Sequence, residues 1–406
     1  MKILFLSDDF PPNNLGGAGV VAYSLAKTIN NLGHEVHVIS TTQDKNEEGG
    51  LAQDGLKIYK IYSQYHRRWR AYLSLYNPQT VKKVKKIIND IKPDVVHAHN
   101  VHYHLSYHCL KIAKLAGAPV FLTAHDAMLF HYGKIKIPKK ATCENYLDYC
   151  KPSVLGQIKE FKRRYNPLRN LIIKRYLEKY VDKIIAVSDA LKKALILNGI
   201  TNVEIVHNGI NVNAYETNQE AVSVFKKTNN LENKKIIFFG GRMNEGKGIN
   251  QAVESLDLIL KEVPEALLLI AGSSGFPIEN QNLPIKFLGW LSQEKMKLAM
   301  AVSDVIILPS VCFDTFGMVS LEAMAVKKPV VASCFGGASE VVVSGETGYI
   351  INPHNIQMMT NRITDLLKNR GKAQEFGQRG HERARDYFDL NKQAEKYLKL
   401  YKNSFI

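Results

Sequence analysis

Short apolar runs alternate with longer amphipathic stretches along the whole chain. Met1–Ser7, Glu35–Ser40, Pro93–His99, Pro119–His125, Lys183–Ser188 and Val203–His207 read as buried strands. The stretches between them carry helical spacing, as over Val20–Leu32, which Gly33 closes. Strands of this kind separated by helices predict a parallel sheet covered on both faces. A polar stretch follows near Asn211–Asn233, and the pattern restarts with Lys235–Gly240, Ala266–Gly272, Ile285–Gly289, Val305–Pro309, Pro329–Ala332 and Gly348–Ile350. The predicted class is therefore α/β, with two Rossmann-like domains. Domain one is expected over 1–210 and domain two over 211–385. A closing helix within 386–406 is expected to run from Asp386 to Tyr401.

In open parallel sheets ligands bind beyond the carboxyl ends of the strands. Two such sheets facing across a cleft would gather their loops around one ligand, so the loops after Ser7, His125, Gly240 and Pro309 are where chemistry is expected. The strongest signal lies between Leu308 and Gly348. A strand ends at Pro309, a loop carries Asp314, Gly317 opens a helix, and that helix carries Glu322. From Gly317 to Glu322 such a helix rises about 8 Å, a length that matches the span from ribose to hexose across a diphosphate. The amides near Gly317, Met318 and Val319 suit phosphate oxygens. Ionised carboxylates at either end accept hydrogen bonds from sugar hydroxyls.

The second signal is Gly240-Gly241-Arg242-Met243-Asn244-Glu245-Gly246-Lys247-Gly248. Glycines admit phosphate close to the backbone, and Arg242 and Lys247 can neutralise a leaving diphosphate. No Ser or Thr follows Lys247, so this is not a P-loop. No Asp-x-Asp pair exists to chelate a metal. The two cations can do that work, so no metal or other cofactor is expected. In domain one, Gly16 and Gly17 lie in a glycine-rich loop suited to a donor phosphate or an acceptor. His125 ends a strand where a sugar hydroxyl is expected to sit. His97, His99, His102, His104 and His108 are not expected to form a metal site.

Composition narrows the setting. No run reaches the roughly 20 apolar residues of a membrane span, and the opening stretch is too short for a signal peptide. Five scattered cysteines point to free thiols in a reducing cytoplasm, with a Cys143–Cys150 pair or a metal there as the lesser alternative. The net charge is +16, and twelve basic residues stand against three acidic ones between Lys134 and Arg175. With Trp69 and Tyr72 beside Arg67, Arg68 and Arg70, this charge suggests a peripheral contact with an anionic membrane rather than a specific nucleic acid. Solvated helix faces are the plainer alternative.

Taken together, these residues resemble the retaining glycosyltransferases of family 4, which have the GT-B fold. The likeness rests on the opening glycine loop, Thr123-Ala124-His125-Asp126, Val206–Ile210, Gly241-Arg242 with Lys247-Gly248, Phe287–Gly289 and the Asp314-x7-Glu322 motif. It ends with Gly336-Gly337-x-x-Glu340. The family pattern has Glu where this chain has Asp314, one methylene shorter. The resemblance implies that Arg242 and Lys247 hold the diphosphate, that Glu322 holds the ribose, and that Asp314 and the amides from Phe316 to Val319 bind sugar and phosphates. Trp290 and Leu291 would edge the base. It also implies a nucleotide-sugar donor, a glycan or lipid-linked acceptor in cell-surface polysaccharide or glycolipid synthesis, and a tail that crosses back onto domain one. A sugar-nucleotide epimerase of the same fold, and a non-catalytic polyanion or membrane binder, are the competing readings.

Overall fold

The computed structural model describes residues 1–11, 16–241, 244–272 and 282–405. The chain divides into two compact units, Met1–Gly133 with Cys150–Gly209 and Leu390–Ile406, and Lys134–Tyr149 with Ile210–Asp389.

In the first unit the strands are β1 (Lys2–Leu6), β2 (Glu35–Thr42), β3 (Gly49–Gln53), β4 (Leu56–Tyr62), β5 (Val95–Ala98), β6 (Val120–Ala124), β7 (Lys183–Ala186) and β8 (Val203–Ile205). They form one sheet in the order β3-β4-β2-β1-β5-β6-β7-β8, parallel except at β3–β4. Ile3, Phe5, Val36, Val38 and Val95 face Ala22, Leu25 and Ile29 of the helix Gly17–Asn31. Tyr397 and Tyr401 of the helix Leu390–Asn403 complete that core. Their hydroxyls are paired as well as their rings: Tyr397 Oη lies 2.9 Å from Thr123 Oγ1 and Tyr401 Oη 2.6 Å from His97 Nδ1. Buried tyrosines need such partners, because an orphaned hydroxyl costs about 1–3 kcal/mol.

The second unit holds β9 (Lys235–Gly240), β10 (Ala266–Ala271), β11 (Ile285–Gly289), β12 (Val305–Leu308), β13 (Val330–Ser333) and β14 (Gly348–Ile351). The order is β11-β10-β9-β12-β13-β14, parallel throughout. Ile237, Phe239, Leu268, Ile270 and Ile307 pack against Leu256 and Ile259 of the helix Ile249–Ile259 and Ile363 and Leu367 of Ile356–Lys368. The chain leaves β9 toward β10 on one side and returns on the other as β12. The crevice between β9 and β12 is thus the topological switch point, where loops diverge and a ligand fits.

Several features differ from the sequence reading. β3 and β4 form a hairpin that was not expected, turning at Asp54-Gly55 with φ of 51° and 79°. Two positive φ values make the tight turn that suits a right-twisted hairpin. The expected helix Asp386–Tyr401 is two helices, Arg370–Tyr387 and Leu390–Asn403, broken at Phe388-Asp389. Residues 134–149, expected in domain one, belong to the second unit. Cys143 is not a free thiol and does not pair with Cys150. It is bonded to Cys334, 191 residues away, whereas Cys109, Cys150 and Cys312 are free and buried. The basic run 134–175 is divided between the units. Its Arg169 is fully buried, donating to Met128 O at 2.6 Å beside the Tyr107 and Tyr132 rings.

Candidate functional site

Loops after β9 and β12 meet beyond the carboxyl ends of those strands. Gly246 O accepts the N–H groups of Val311 and Cys312 at 3.1 and 3.2 Å. Gly248 has φ of 79°, and a Cβ there would lie 1.8 Å from Pro309 O. Only glycine permits both the backbone angle and the approach. The stitching brings Lys247 Nζ to 2.5 Å from Asp314 Oδ2. These two residues are 67 positions apart in sequence, one expected on the diphosphate and the other on the sugar, and the structure puts them in contact.

Asp314 is fixed from its other side. Its N–H donates to Phe335 O and its carbonyl accepts from Gly337 N–H, both at 2.9 Å. Gly336, with φ of 134°, passes so close that a Cβ would reach Asp314 O at 1.8 Å. Ser310 Oγ lies 3.4 Å from the carboxylate. Burial would push the Asp314 carboxyl up. The Lys247 ammonium, the Phe316 N–H and the charge of Lys134 outweigh it and hold the group below the ordinary carboxylate range.

The helix Met318–Ala325 starts on Gly317, at φ of 80°, with no side chain capping it. Its first amides, at Met318 and Val319, lie at the positive end of the helix dipole. Phe316 contributes through its backbone alone, because its ring is buried against Phe388. The Phe316 amide is already donated to Asp314, so it is not one of the open phosphate donors that the resemblance implied. Farther along the helix, Glu322 accepts from Tyr215 Oη at 3.4 Å. Burial pushes its carboxyl up to about 7, against a smaller lowering by Tyr215. Tyr215, in the turn Val212–Tyr215, was missed by the sequence reading because no motif joins it to Glu322.

Gly241 follows β9, its N–H bonded to Ala271 O at 2.9 Å. Arg242 lies outside the described residues. Trp290 and Leu291 follow edge strand β11, with Trp290 62% exposed. β11 stands two strands from β9 in the sheet.

The first unit carries its own cluster at the ends of β1, β5 and β6. His125 Nε2 lies 2.8 Å from His99 Nδ1, their rings stacked at 5.1 Å. His97 stands 4.3 Å from His99 and is held by Thr123 and Tyr401. Burial lowers His125 to about 4 and His97 to about 3, so both are neutral at physiological pH. Asp8, another residue the sequence reading missed, accepts backbone N–H bonds from Tyr103, His104 and Leu105 at 2.7–2.9 Å. Burial nevertheless pushes its carboxyl up to about 7. His102, His104 and His108 are engaged by Asp126, Ser63 and Tyr176. Among the described residues no group of three or more His, Cys, Asp or Glu is arranged to hold a metal ion. Gly16 precedes the helix Gly17–Asn31 in extended conformation, with no side-chain cap. Gly17 is exposed, with open space where a Cβ would point.

A cation and a carboxylate in contact at a switch point, beside an uncapped helix start with a second carboxylate a turn deeper, are suited to a ligand carrying both phosphate and hydroxyl groups. Known proteins agree. Residues 15–214 match the family described as Glycosyltransferase Family 4, and residues 223–383 match Glycosyl transferases group 1. An uncharacterized glycosyltransferase of Methanocaldococcus jannaschii is 26% identical over 377 residues, covering 89% of each chain. Sucrose-phosphate synthase of Thermosynechococcus elongatus superposes with a TM-score of 0.78 at 19% identity, over 100% of this chain and 99% of that one. The Anabaena protein HepE, solved in complex with UDP and glucose, gives 0.73 at 21% identity over 99% and 100%. The chain belongs to the group 1, family 4 glycosyltransferases of GT-B fold, enzymes acting on nucleotide sugars.

Proposed function

We propose that the protein transfers a hexose-type sugar from a nucleotide-diphosphate donor to a glycan or lipid-linked acceptor, with retention at the anomeric carbon and without a metal. The contact between Lys247 and Asp314 carries this reading. Lys247, with Arg242, takes the charge of the leaving diphosphate, and the amides of Met318 and Val319 take its oxygens. Asp314 accepts from hydroxyls of the transferred sugar and Glu322 from those of the ribose. Trp290 and Leu291 edge the base. In the first unit, His125 gives a neutral imidazole to a substrate hydroxyl, and the open helix start at Gly16-Gly17 suits an anionic group. Asp314 is tied to an ammonium and is therefore a poor covalent nucleophile. That favours attack and departure on one face of the sugar, with the leaving phosphate taking the acceptor's proton. The complex of HepE with UDP and glucose supports a nucleoside diphosphate and a hexose as ligands of this fold.

The acceptor side is assigned to a peripheral, anionic membrane surface at the cytoplasmic face. Exposed Leu155, Leu168, Trp69 and Tyr72 lie in the first unit with the basic turn Lys162–Arg164, which packs against the turn Arg67–Trp69. Apolar side chains beside arginines and lysines fit an interfacial site. No described helix is long and apolar enough to cross a membrane.

The test is release of nucleoside diphosphate from UDP-glucose, UDP-galactose, UDP-N-acetylglucosamine, GDP-mannose and ADP-glucose, with and without EDTA. Turnover of one donor, unchanged by EDTA, with the product's anomeric configuration conserved by NMR, is the expected outcome. Interconversion of the sugar with no nucleotide released would replace the transferase with an epimerase.

A further inference from the structure

Residues 134–149 leave the first unit after Gly133 and are built into the second as a strap. The strap runs antiparallel to the loop that carries Asp314. Lys136 bridges Cys312, Ile137 N–H donates to Val311 O, and Phe313 N–H donates to Ile135 O, both at 2.9 Å. Carried one residue past the Ile135–Phe313 pair, this register sets Lys134 opposite Asp314. Antiparallel neighbours in such a pair have Cα atoms about 4.5 Å apart and side chains on one face. The rest of the strap is pinned. Cys143 is bonded to Cys334, Asn352 Nδ2 donates to Ala141 O at 2.9 Å, His354 Nε2 lies 3.0 Å from Ile137 O, and Tyr146 packs on Phe313 and Phe335.

Asp314 thus has one ammonium in contact, from the loop after β9, and a second in register, from a different part of the chain. Lys136, on the same face, is engaged by Glu245 at 3.2 Å. We propose that Lys134 is a second counter-ion of Asp314, a positioning residue that keeps this carboxylate ionised and in place when a donor's diphosphate draws on Lys247. This rests on the reading above, in which Lys247 serves the diphosphate and Asp314 the sugar. A carboxylate with only 19% of its side chain exposed needs a cation nearby to stay charged, and Lys247 alone must divide its charge between Asp314 and the phosphates once the donor is bound. Lys134 already contributes to holding Asp314 below its ordinary range in the unliganded protein, together with Lys247 and the Phe316 N–H. Lys134 is exposed and outside the core, so its replacement is expected to leave the protein folded, which circular dichroism checks. The groups facing Asp314 are Lys247, Lys134, Ser310 and the Cys312 thiol, which burial pushes up and keeps neutral.

The test uses the full chain with Lys134→Gln, Lys134→Arg and Asp314→Asn. With the donor that turns over in the panel, Lys134→Gln is expected to lower kcat about tenfold and to raise the acid limb of the kcat profile by about one pH unit. Lys134→Arg restores both. A Lys134→Gln profile that superimposes on the wild type, with Asp314→Asn inactive, overturns the counter-ion role and leaves the function standing. Full activity in Asp314→Asn removes that function and this role with it. Titration of the Asp314 carboxyl by 13C NMR, assigned by Asp314→Asn and run with and without inorganic pyrophosphate, needs no turnover. Lys134→Gln is expected to raise its pKa, more so with pyrophosphate present, and an unmoved pKa overturns the proposal.

Discussion

Glu322 makes donor binding depend on pH in a direction that can be worked out. The free protein holds its carboxyl up to about 7, chiefly by burial, against an ordinary value of 4.5. A raised acid pKa means that the fold favours the proton. Stability from this group is fully present below pH 4.5 and is lost as pH rises through 7. Ribose hydroxyls are donors and select the ionised form. Binding therefore releases a proton below pH 7, and affinity rises with pH until Glu322 is ionised in the free protein. If the ionised form alone binds, affinity falls about 30-fold between pH 8 and pH 5.5, or about 2 kcal/mol. Calorimetric titration with UDP, ADP and GDP, in buffers of different ionisation enthalpy, reads both affinity and protons released. Glu322→Gln should bind more weakly at pH 8 and lose the slope that this group causes. An affinity in the wild type that is flat from pH 5.5 to 8, with no proton released, would refute the ribose assignment.

Lys247→Ala should lower turnover at least about tenfold while the protein stays folded by circular dichroism, because it removes the cation in contact with Asp314. Wild-type turnover would sink that assignment. His99→Ala should lower turnover about tenfold in kinetic assays by freeing the tautomer and tilt of His125, whose Nε2 it holds at 2.8 Å. Gly248→Ala should cost roughly 1–3 kcal/mol, read as a fall of several degrees in the thermal midpoint, since its Cβ would strike Pro309 O. Cys143→Ser should lower that midpoint by about 2–4 kcal/mol worth of stability, and dithiothreitol should then have no further effect.

The sheets were legible because buried parallel strands are nearly continuous apolar runs, as in Ile236–Phe239 and Ala266–Ala271. The hairpin has its own local signal in Asp54-Gly55 and the alternation of Leu56 and Ile58. Lys247 and Asp314 could be named as functional since motif chemistry is local, whereas their contact depends on β9 and β12 being neighbours in the sheet. Tyr215, Lys134 and the Cys143–Cys334 bond carry no local signature at all. Tyr215 and Cys143 are defined by partners more than a hundred residues away, and Lys134 acts on the charge of Asp314, likewise distant in sequence. Arg169 was counted as surface charge because composition cannot distinguish a solvated guanidinium from one enclosed by tyrosines and a carbonyl. The break at Phe388-Asp389 follows from tertiary pairing, as Ile210 bridges Asp389 and its N–H bonds Phe388 O at 2.7 Å.

The chain passes from one unit to the other at 133/134, 149/150, 209/210 and 389/390. A chimera that trades one half for a relative's therefore cannot be made with a single splice. Joining at residue 210 alone would strand Tyr397 and Tyr401 on a foreign tail and marry the Cys334 loop to a stranger's strap. Exchange of donor preference within this lineage must proceed either by grafting both segments of the second unit at once or by point changes in the loops, and the second path is far shorter.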